Sequence, residues 1–448
     1  MLNRFVVSAL ALAIFSLTRS ASVSAADLFE VYELARASDP QLAIAESQRL
    51  SAGQGVPLAR SALLPQLNGS WDSSRSNFSG TVFREELNRD VSISTDSRNR
   101  SYGVSLQQTI YQHGTYMDLK AARAQTARGV SDYDAALDAL VFRVAQAYFG
   151  VLTAQTNLAS AEAEEKAVGR QLEQADQRFE VGLTAITDVH EARARFDGAR
   201  AAAIQSRNAL DDAFEALGEL TGKPIESVKP LKAELTLSPP EPAQVEAWVD
   251  TAIANSPALA SQQNALNAAD ANVKSAWSAH LPYLSLSGSY GKQTSGGDVS
   301  PFALRDPENR SLTLSLTVPL FSGGATNARY KQAVYNRDTS TEQLEQTRRA
   351  TVRQTRSAYR AVIAGISEVD ARKQALVSAQ SALEATQAGF EVGTRTIVDV
   401  LLSQQQQFAA EREYARARHG FILSNLQLKQ SAGTIDVADI QAVNGMLD

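Results

Sequence analysis

Apolar and polar residues alternate one for one along four short stretches of the chain. Leu67, Gly69 and Trp71 alternate with Asn68, Ser70 and Asp72, and Tyr102, Val104 and Leu106 with Ser101, Gly103 and Ser105. Leu284, Leu286, Gly288 and Tyr290 alternate with Ser285, Ser287 and Ser289. The cleanest run sets Leu312, Leu314, Leu316, Val318 and Leu320 against Ser311, Thr313, Ser315 and Thr317. A period of two is that of a strand with one apolar face, and it predicts strands over 67–76, 100–110, 284–292 and 311–320. Each is about ten residues, the length of a tilted strand crossing a bilayer. The second face is small and hydroxylated rather than charged, as suits a water-filled lumen. A soluble four-stranded sheet packed on a helix shows the same alternation, but no neighbouring segment offers a broad apolar face to cover one. Membrane barrels begin at about eight strands, and lipid does not tolerate an open sheet edge. A barrel built from four strands per chain therefore requires several copies. The polar segments 73–99 and 292–310 read as loops on the far side of the membrane.

Elsewhere the period changes. Leu137, Leu140, Val144, Ala147, Val151, Ala154, Leu158 and Ala161 step by three and four in turn, and Val352, Tyr359, Val362, Ile366, Val369, Leu376, Leu383 and Phe390 fall on the same steps. Such a repeat, about 3.5 residues long, marks a coiled-coil seam. The remaining positions are rich in Ala, Gln, Glu and Arg, which are good helix formers. Long helices are predicted over 114–181, 184–222, 325–392 and 394–433. The longer pair, at ~1.5 Å per residue, makes rods of about 100 Å. Period alone is equally compatible with a fibrous coiled coil.

The whole pattern occurs twice. Asp39-Pro40 returns as Ser256-Pro257 and Leu64-Pro65-Gln66-Leu67 as Leu281-Pro282-Tyr283-Leu284, both 217 residues on. Phe179-Glu180-Val181-Gly182 returns as Phe390-Glu391-Val392-Gly393, and Asp188-Val189 as Asp399-Val400, both 211 on. One unit has been used twice, with a shorter loop in its second copy. Each unit opens with a helix of roughly 20 residues ending before Pro65 or Pro282, then two strands, then two long helices. The expected divisions are a first unit over 27–222, a Pro-rich connector over 223–242, a second unit over 243–433 and a C-terminal segment over 434–448. Proline removes backbone donors and fixes φ, so the stretch carrying Pro224, Pro230, Pro239, Pro240 and Pro242 is a connector.

Composition narrows the setting. Residues 1–26 begin with Arg4, continue through an apolar run too short to span a bilayer, and end in Ser and Ala before Asp27, which is the form of an export signal. Without Arg4 and Arg19 the 43 basic residues become 41 against 49 acidic, a net charge near −8. That balance argues against nucleic acid as a partner, because phosphate is held by clustered Lys and Arg. There is no cysteine, which excludes a disulfide framework and a lipid-anchored N-terminal cysteine. The four histidines, His113, His190, His280 and His419, are scattered, and no metalloprotease or phosphate-loop motif occurs. The chain reads as a non-enzyme that needs no cofactor or metal.

These residues resemble the TolC family of outer-membrane channels. The likeness rests on Leu63-Leu64-Pro65-Gln66-Leu67, on Val181 to Val189, on Val392 to Val400 and on Val377-Ser378-Ala379-Gln380-Ser381, and it runs from about Asp27 to the C-terminus. It implies a mainly α protein with membrane β-strands. Three copies would form a 12-stranded β-barrel continued by a periplasmic α-helical barrel, with the connector and C-terminal segment in an equatorial belt. It implies a homotrimer in outer-membrane lipid, opened at its periplasmic tip by a periplasmic adaptor protein and an inner-membrane transporter of the RND, ABC or MFS class. Drug efflux and type I protein secretion would be its tasks. The alternatives are a soluble periplasmic adaptor, which needs one helical hairpin flanked by compact β-domains, and a structural coiled coil, which needs no strands.

Between the long helices, Gly182 and Gly393 suit left-handed helix stops and hinges, Thr184 and Thr394 suit caps for the following helix, and Asp188 and Asp399 suit its first turn. Helix capping alone accounts for all of these. By the resemblance they form a periplasmic gate: Arg395 reaches Thr187 and Asp188 of the neighbouring protomer, and Asp399 forms an acidic ring in the lumen. Gln171 matches a further polar position near the tip. Phe390 stands where the family has a tyrosine and Leu402 where it has a second ring aspartate, so the gate is expected to have fewer polar ties and weaker block by multivalent cations.

Overall fold

The computed structural model describes residues 25–297 and 306–448. All but the last two residues of the expected export signal lie outside the described residues, as does the middle of the predicted 292–310 loop.

The first unit opens with three short helices, α1 (Leu28–Ser38), α2 (Pro40–Gly53) and α3 (Gly55–Ser61), where the sequence predicts one. Asp39 causes the first break. It ends α1 in an extended conformation, and its carboxylate accepts a hydrogen bond from Leu42 N–H to cap α2, with Pro40 at the first helical position. Strands β1 (Gln66–Arg84) and β2 (Arg89–Tyr111) follow, then the rods α4 (His113–Glu180) and α5 (Ile186–Thr221). The second unit repeats this with α6 (Val245–Asn255), α7 (Pro257–Ser278), β3 (Tyr283–Gly297), β4 (Glu308–Thr317), α8 (Ala325–Glu391) and α9 (Ile397–Ser431), and α10 (Val437–Asn444) closes the chain. Ser256 caps α7 ahead of Pro257, the counterpart of Asp39 ahead of Pro40.

The four strands form one antiparallel sheet in the order β1-β2-β3-β4. Its register settles which residues share a face. Leu67 pairs with Leu106, Leu106 with Gly288 and Gly288 with Leu312, while Gly69, Val104 and Tyr290 form the next row. Every predicted apolar position from Leu67 to Leu316 thus lies on one side. Asn68, Ser105, Ser287 and Thr313 lie on the other side, where the Ser289 and Ser311 hydroxyls meet at 2.8 Å. The apolar side is bare: Trp71 is 71% exposed and Leu312 75%. The outer edges of β1 and β4 pair with nothing among the described residues.

Two expectations for the sheet need correction. The segment 73–99 is no loop, because β1 and β2 stay paired from Gln66↔Gln107 out to Arg84↔Arg89, closing through a short 3-10 turn at Glu85–Leu87. A polar run at 72–77 interrupts the alternation, and apolar residues resume on the opposite face from Leu67, where Phe78, Gly80 and Val82 pair with Thr95, Ile93 and Val91; the ladder is held by backbone pairing and by the Arg75–Asp96 ion pair at 2.5 Å. Strand β4 ends at Thr317, so Val318 and Leu320, predicted as strand, lie beyond it, Pro319 having no N–H for the ladder.

The main core sits where the rods cross the belt. Leu28 and Val31 of α1, Leu140, Val144, Tyr148 and Phe149 of α4, Val362 of α8, Phe421 and Leu428 of α9 and Ile440 of α10 form one buried cluster. The Tyr148 hydroxyl donates to the carbonyls of Ala26 and Lys229, tying the start of the chain and the connector to α4. Leu231 of the connector bridges to Leu447. Among the described helices α4 alone is long and apolar enough to span a membrane, and its burial at this belt accounts for that apolar content. Asp39 and Arg143 lock α2 to α4, with guanidinium nitrogens at 2.6 and 3.2 Å from the two carboxylate oxygens.

Candidate functional site

The free end of the rods is where the two hairpins turn. Each turn is a Schellman stop. Leu183 N–H donates to the Arg178 carbonyl at 2.8 Å and Gly182 N–H to that of Phe179 at 2.9 Å; Thr394 to Gly389 and Gly393 to Phe390 repeat the pattern at 2.8 and 3.1 Å. Gly182 and Gly393 both have φ of +77°, which a β-carbon penalises, and neither has an atom near the position one would occupy. Backbone conformation, not crowding, demands glycine there.

The caps differ from expectation. Helix α5 starts from Ala185 with no side-chain cap, and the Thr184 hydroxyl donates instead to the Asp188 carboxylate. Helix α9 is capped by Thr396, not Thr394: Asp399 N–H donates to the Thr396 hydroxyl, and the Asp399 carboxylate accepts from Thr396 N–H at 2.9 Å. The capping box needs a carboxylate three residues after the cap, a spacing that Thr396 has and Thr394 lacks. Hydrogen bonds from the Thr396 N–H and hydroxyl, aided by the Arg395 charge, hold the Asp399 carboxyl below the usual carboxylate range against partial desolvation. It stays anionic, which a lumenal acidic ring requires.

A small apolar cluster joins the hairpins just above the turns. Val168, Ala175, Val189, Ala192, Ile397 and Leu401 are buried in it, and Phe390 packs against it half-buried. The Arg178 guanidinium lies 4.6 Å from the Phe390 ring centroid, a cation–π contact between α4 and α8. This pair was missed in the sequence because neither residue lies in the turn motif of the other. Gly389 was missed too. A β-carbon there would come within 2.7 Å of Arg395 Cγ, so the side chain of Arg395, a turn residue, folds back over the end of α8 in space that only glycine leaves. At the equivalent position of the first turn, 211 residues earlier, stands Arg178. Thr187 is fully exposed, Asp188 and Asp399 are half-exposed, and Leu402 is 45% exposed. Gln171 sits higher on α4, its Oε1 buried with no partner among the described residues.

A barrel-type sheet, rods in a duplicated unit and a tip of this form can be compared with known proteins. The family model for "Outer membrane efflux protein" matches residues 31–223 and 248–434, most of the chain in two copies. The chain belongs to the outer membrane efflux protein family. It is similar to outer membrane protein TolC of Vibrio cholerae serotype O1, 38% identical over 96% of each chain. It is also similar to the alkaline protease secretion protein AprF of Pseudomonas aeruginosa, 31% identical over 93% of this chain and 86% of that one. Its fold matches the crystal structure of the Campylobacter jejuni CmeC outer membrane channel with a TM-score of 0.76, at 19% identity, covering 94% of this chain and 90% of that one. Members of this efflux family and its structural neighbours are channel proteins of the outer membrane, not enzymes. The adaptor and structural coiled-coil alternatives fall with this finding.

Proposed function

We propose that three copies of this chain assemble into an exit duct that crosses the outer membrane and extends through the periplasm. The observation that carries the reading is the sheet. It has a continuous bare apolar face, a hydroxylated opposite face and two open edges, an arrangement stable in lipid only when further copies close it. Three copies give twelve strands, and their rods continue as a helical tunnel toward the inner membrane. At its end the Asp399 carboxylates converge, concentrating cations in the constriction, and Arg395, laid across Gly389, reaches Thr187 and Asp188 of the next protomer. Each Arg–carboxylate tie is modest where water reaches it, so three can hold the tip shut and still be broken by a docking partner. That partner is a periplasmic adaptor together with an inner-membrane RND, ABC or MFS transporter, and the cargo is drugs or secreted proteins. The similarity to a TolC and to a protease secretion protein supports both tasks. The bare tip turns, with no unit folded over them, suit end-on docking.

Outer membranes extracted with detergent should yield a heat-dissociable trimer that conducts ions in a planar bilayer. Substituting Arg395→Ser should raise the open fraction. A water-soluble monomer would sink the duct, and unchanged conductance of the variant would remove the Arg395 tie.

A further inference from the structure

In the lower half of the molecule the four rods lie side by side: α5 packs on α4, α4 on α9 and α9 on α8. The outward sides of α5 and α8 are therefore the two lateral edges of the protomer in this half; higher up, α6 packs on α8 beside that edge, where Glu246 pairs with Arg356 at 3.0 Å. The edges carry opposite charge. On α8, Thr351, Thr355 and Ala358 face inward and are buried. At ~100° per residue, Arg349, Arg353 and Arg360 come out on the opposite side, and all three are exposed. Arg349 pairs with Glu345 at 2.8 Å, while Arg353 and Arg360 have no ion-pair partner among the described residues. On α5, Ala203, Leu217 and Thr221 face inward. Asp212, Glu215 and Glu219 come out opposite them and are exposed, and Glu215 and Glu219 likewise lack an ion-pair partner among the described residues.

The two rows also stand at the same height. Both hairpins turn at one level, since Val189 of the first and Ile397 and Leu401 of the second share a cluster. Glu219 is 36 residues from the first turn centre at 183, and 36 residues back from the second at 394 is Ala358. By the same count Glu215 is level with Val362. Arg360 thus falls between the heights of the two glutamates, and Arg353 lies five residues, about 7.5 Å, above Glu219.

We propose that the arginine edge of α8 docks against the acidic edge of α5 on a second copy of this chain, with Arg360 facing Glu219 and Glu215 of that copy and Arg353 just above Glu219. The contact is head-to-tail, so repeating it around an axis closes a ring rather than stopping at a dimer. Exposed ion pairs add little affinity but fix register and partner choice. The row therefore sets the vertical alignment of neighbouring protomers at the top of the tunnel, well above the tip. Without a neighbour three arginines within twelve residues repel one another; the acidic row of a second copy removes that cost.

The inference rests on the trimer reading, and the test separates the two. The chain has no cysteine, so a full-length Glu219→Cys/Arg360→Cys double variant carries the only thiols. In detergent, a short bismaleimide should convert most of the protein into covalent two- and three-chain species, and either single variant should give none. Within one protomer the two positions lie on opposite edges and cannot join. Charge reversal at Arg360→Glu should lower the temperature at which the trimer dissociates, and adding Glu219→Arg should restore it. A trimer by mass that neither cross-links nor responds to reversal overturns the docking pair and leaves the duct standing. Wild-type protein that is monomeric by mass overturns the duct itself.

Discussion

Phe390 is the position at which this chain loses a hydroxyl relative to the TolC pattern, and the structure shows another interaction there. Its ring lies 4.6 Å from the Arg178 guanidinium and packs on the cluster that joins the hairpins. A half-exposed cation–π contact is worth about 0.5–1 kcal/mol. In the proposed trimer, an opening that separates α8 from α4 would break this contact three times over. Losing all three should favour opening by about 1.5–3 kcal/mol, which at ~1.4 kcal/mol per decade is a roughly 10- to 150-fold rise in the open-to-closed ratio. Phe390→Leu also disturbs packing, and Arg178→Gln also removes a charge, so a double-mutant cycle isolates the pair. The assay is the fraction of open time of single channels in a planar bilayer at fixed salt. Each single variant should open more, and the double variant should open less than the two effects combined. Phe390→Tyr keeps the ring under Arg178 and adds a donor near the tip, so it should close the channel further. Strict additivity of the two single variants would refute the reasoning, because it would mean that the ring and the guanidinium do not act on each other.

Three further outcomes follow from the fold. Leu314→Arg places a charge on the bare apolar face and should cost about 2–4 kcal/mol near the midplane, cutting the yield of outer-membrane trimer, whereas Thr313→Arg on the hydroxylated face should assemble; equal yields would reverse the assigned faces. Asp39 is 2% exposed at its side chain; burial raises its pKa, but the Arg143 hydrogen bonds and Leu42 N–H outweigh it and leave the value below normal. Its contribution is therefore complete above about pH 4 and fades as pH falls through the depressed native value, and Arg143→Met should destabilise by about 3–5 kcal/mol, read as the thermal midpoint in detergent. His419 is buried beside Thr153 and Phe149, and burial followed by the Arg418 charge pushes its pKa down to about 4. The unfolded chain takes up the proton first, so this group should erode stability by up to about 3 kcal/mol as pH falls from ~6.5 to 4, and His419→Gln should flatten that slope.

Much of the architecture was legible because each element obeys one period over a long run. Alternation found the part of each strand that meets lipid, since there one face alone must be apolar. It missed the outer hairpin 77–96, because the polar run 72–77 breaks the pattern and the apolar positions resume on the other face at Phe78 and Val82, while pairing continues on backbone hydrogen bonds. The 3.5-residue steps found the rods, and Leu140, Val144, Val151 and Val362 are buried as that pattern requires. The segment before Pro65 is broken at Asp39, which both stops one helix and caps the next, a role its repeat partner Ser256 shares, and again at Gln54, where no side chain caps the following helix. The cap of α9 was readable and was misassigned by two residues; the spacing from Thr396 to Asp399 decides it. Arg178 and Gly389 were not readable, because their roles come from one hairpin lying beside the other and from a turn side chain, Arg395, folding back over the end of α8.

The duplicated turns show where the two units have parted. Backbone hydrogen bonds, glycine conformation and the Phe-Glu-Val-Gly motif are the same in both, so the stop itself admits no variation. The side chains around it differ in a coordinated way. The first unit has Arg178 before its turn and Thr184 after it; the second has Gly389 and Arg395 at the equivalent places. Each turn thus carries one arginine, on opposite sides of the stop. Arg178 points across to the ring of α8 within the protomer, while Arg395 lies over Gly389 at the end of α8. Exchanging the two residues between turns would leave both helices intact, since neither arginine caps or fills the core. It would remove the contact between hairpins and drive a β-carbon into the space Arg395 occupies. One arginine therefore ties the hairpins of a protomer and the other is the one proposed to tie protomers, and under that proposal a partner that twists α8 away from α4 would strain both at once.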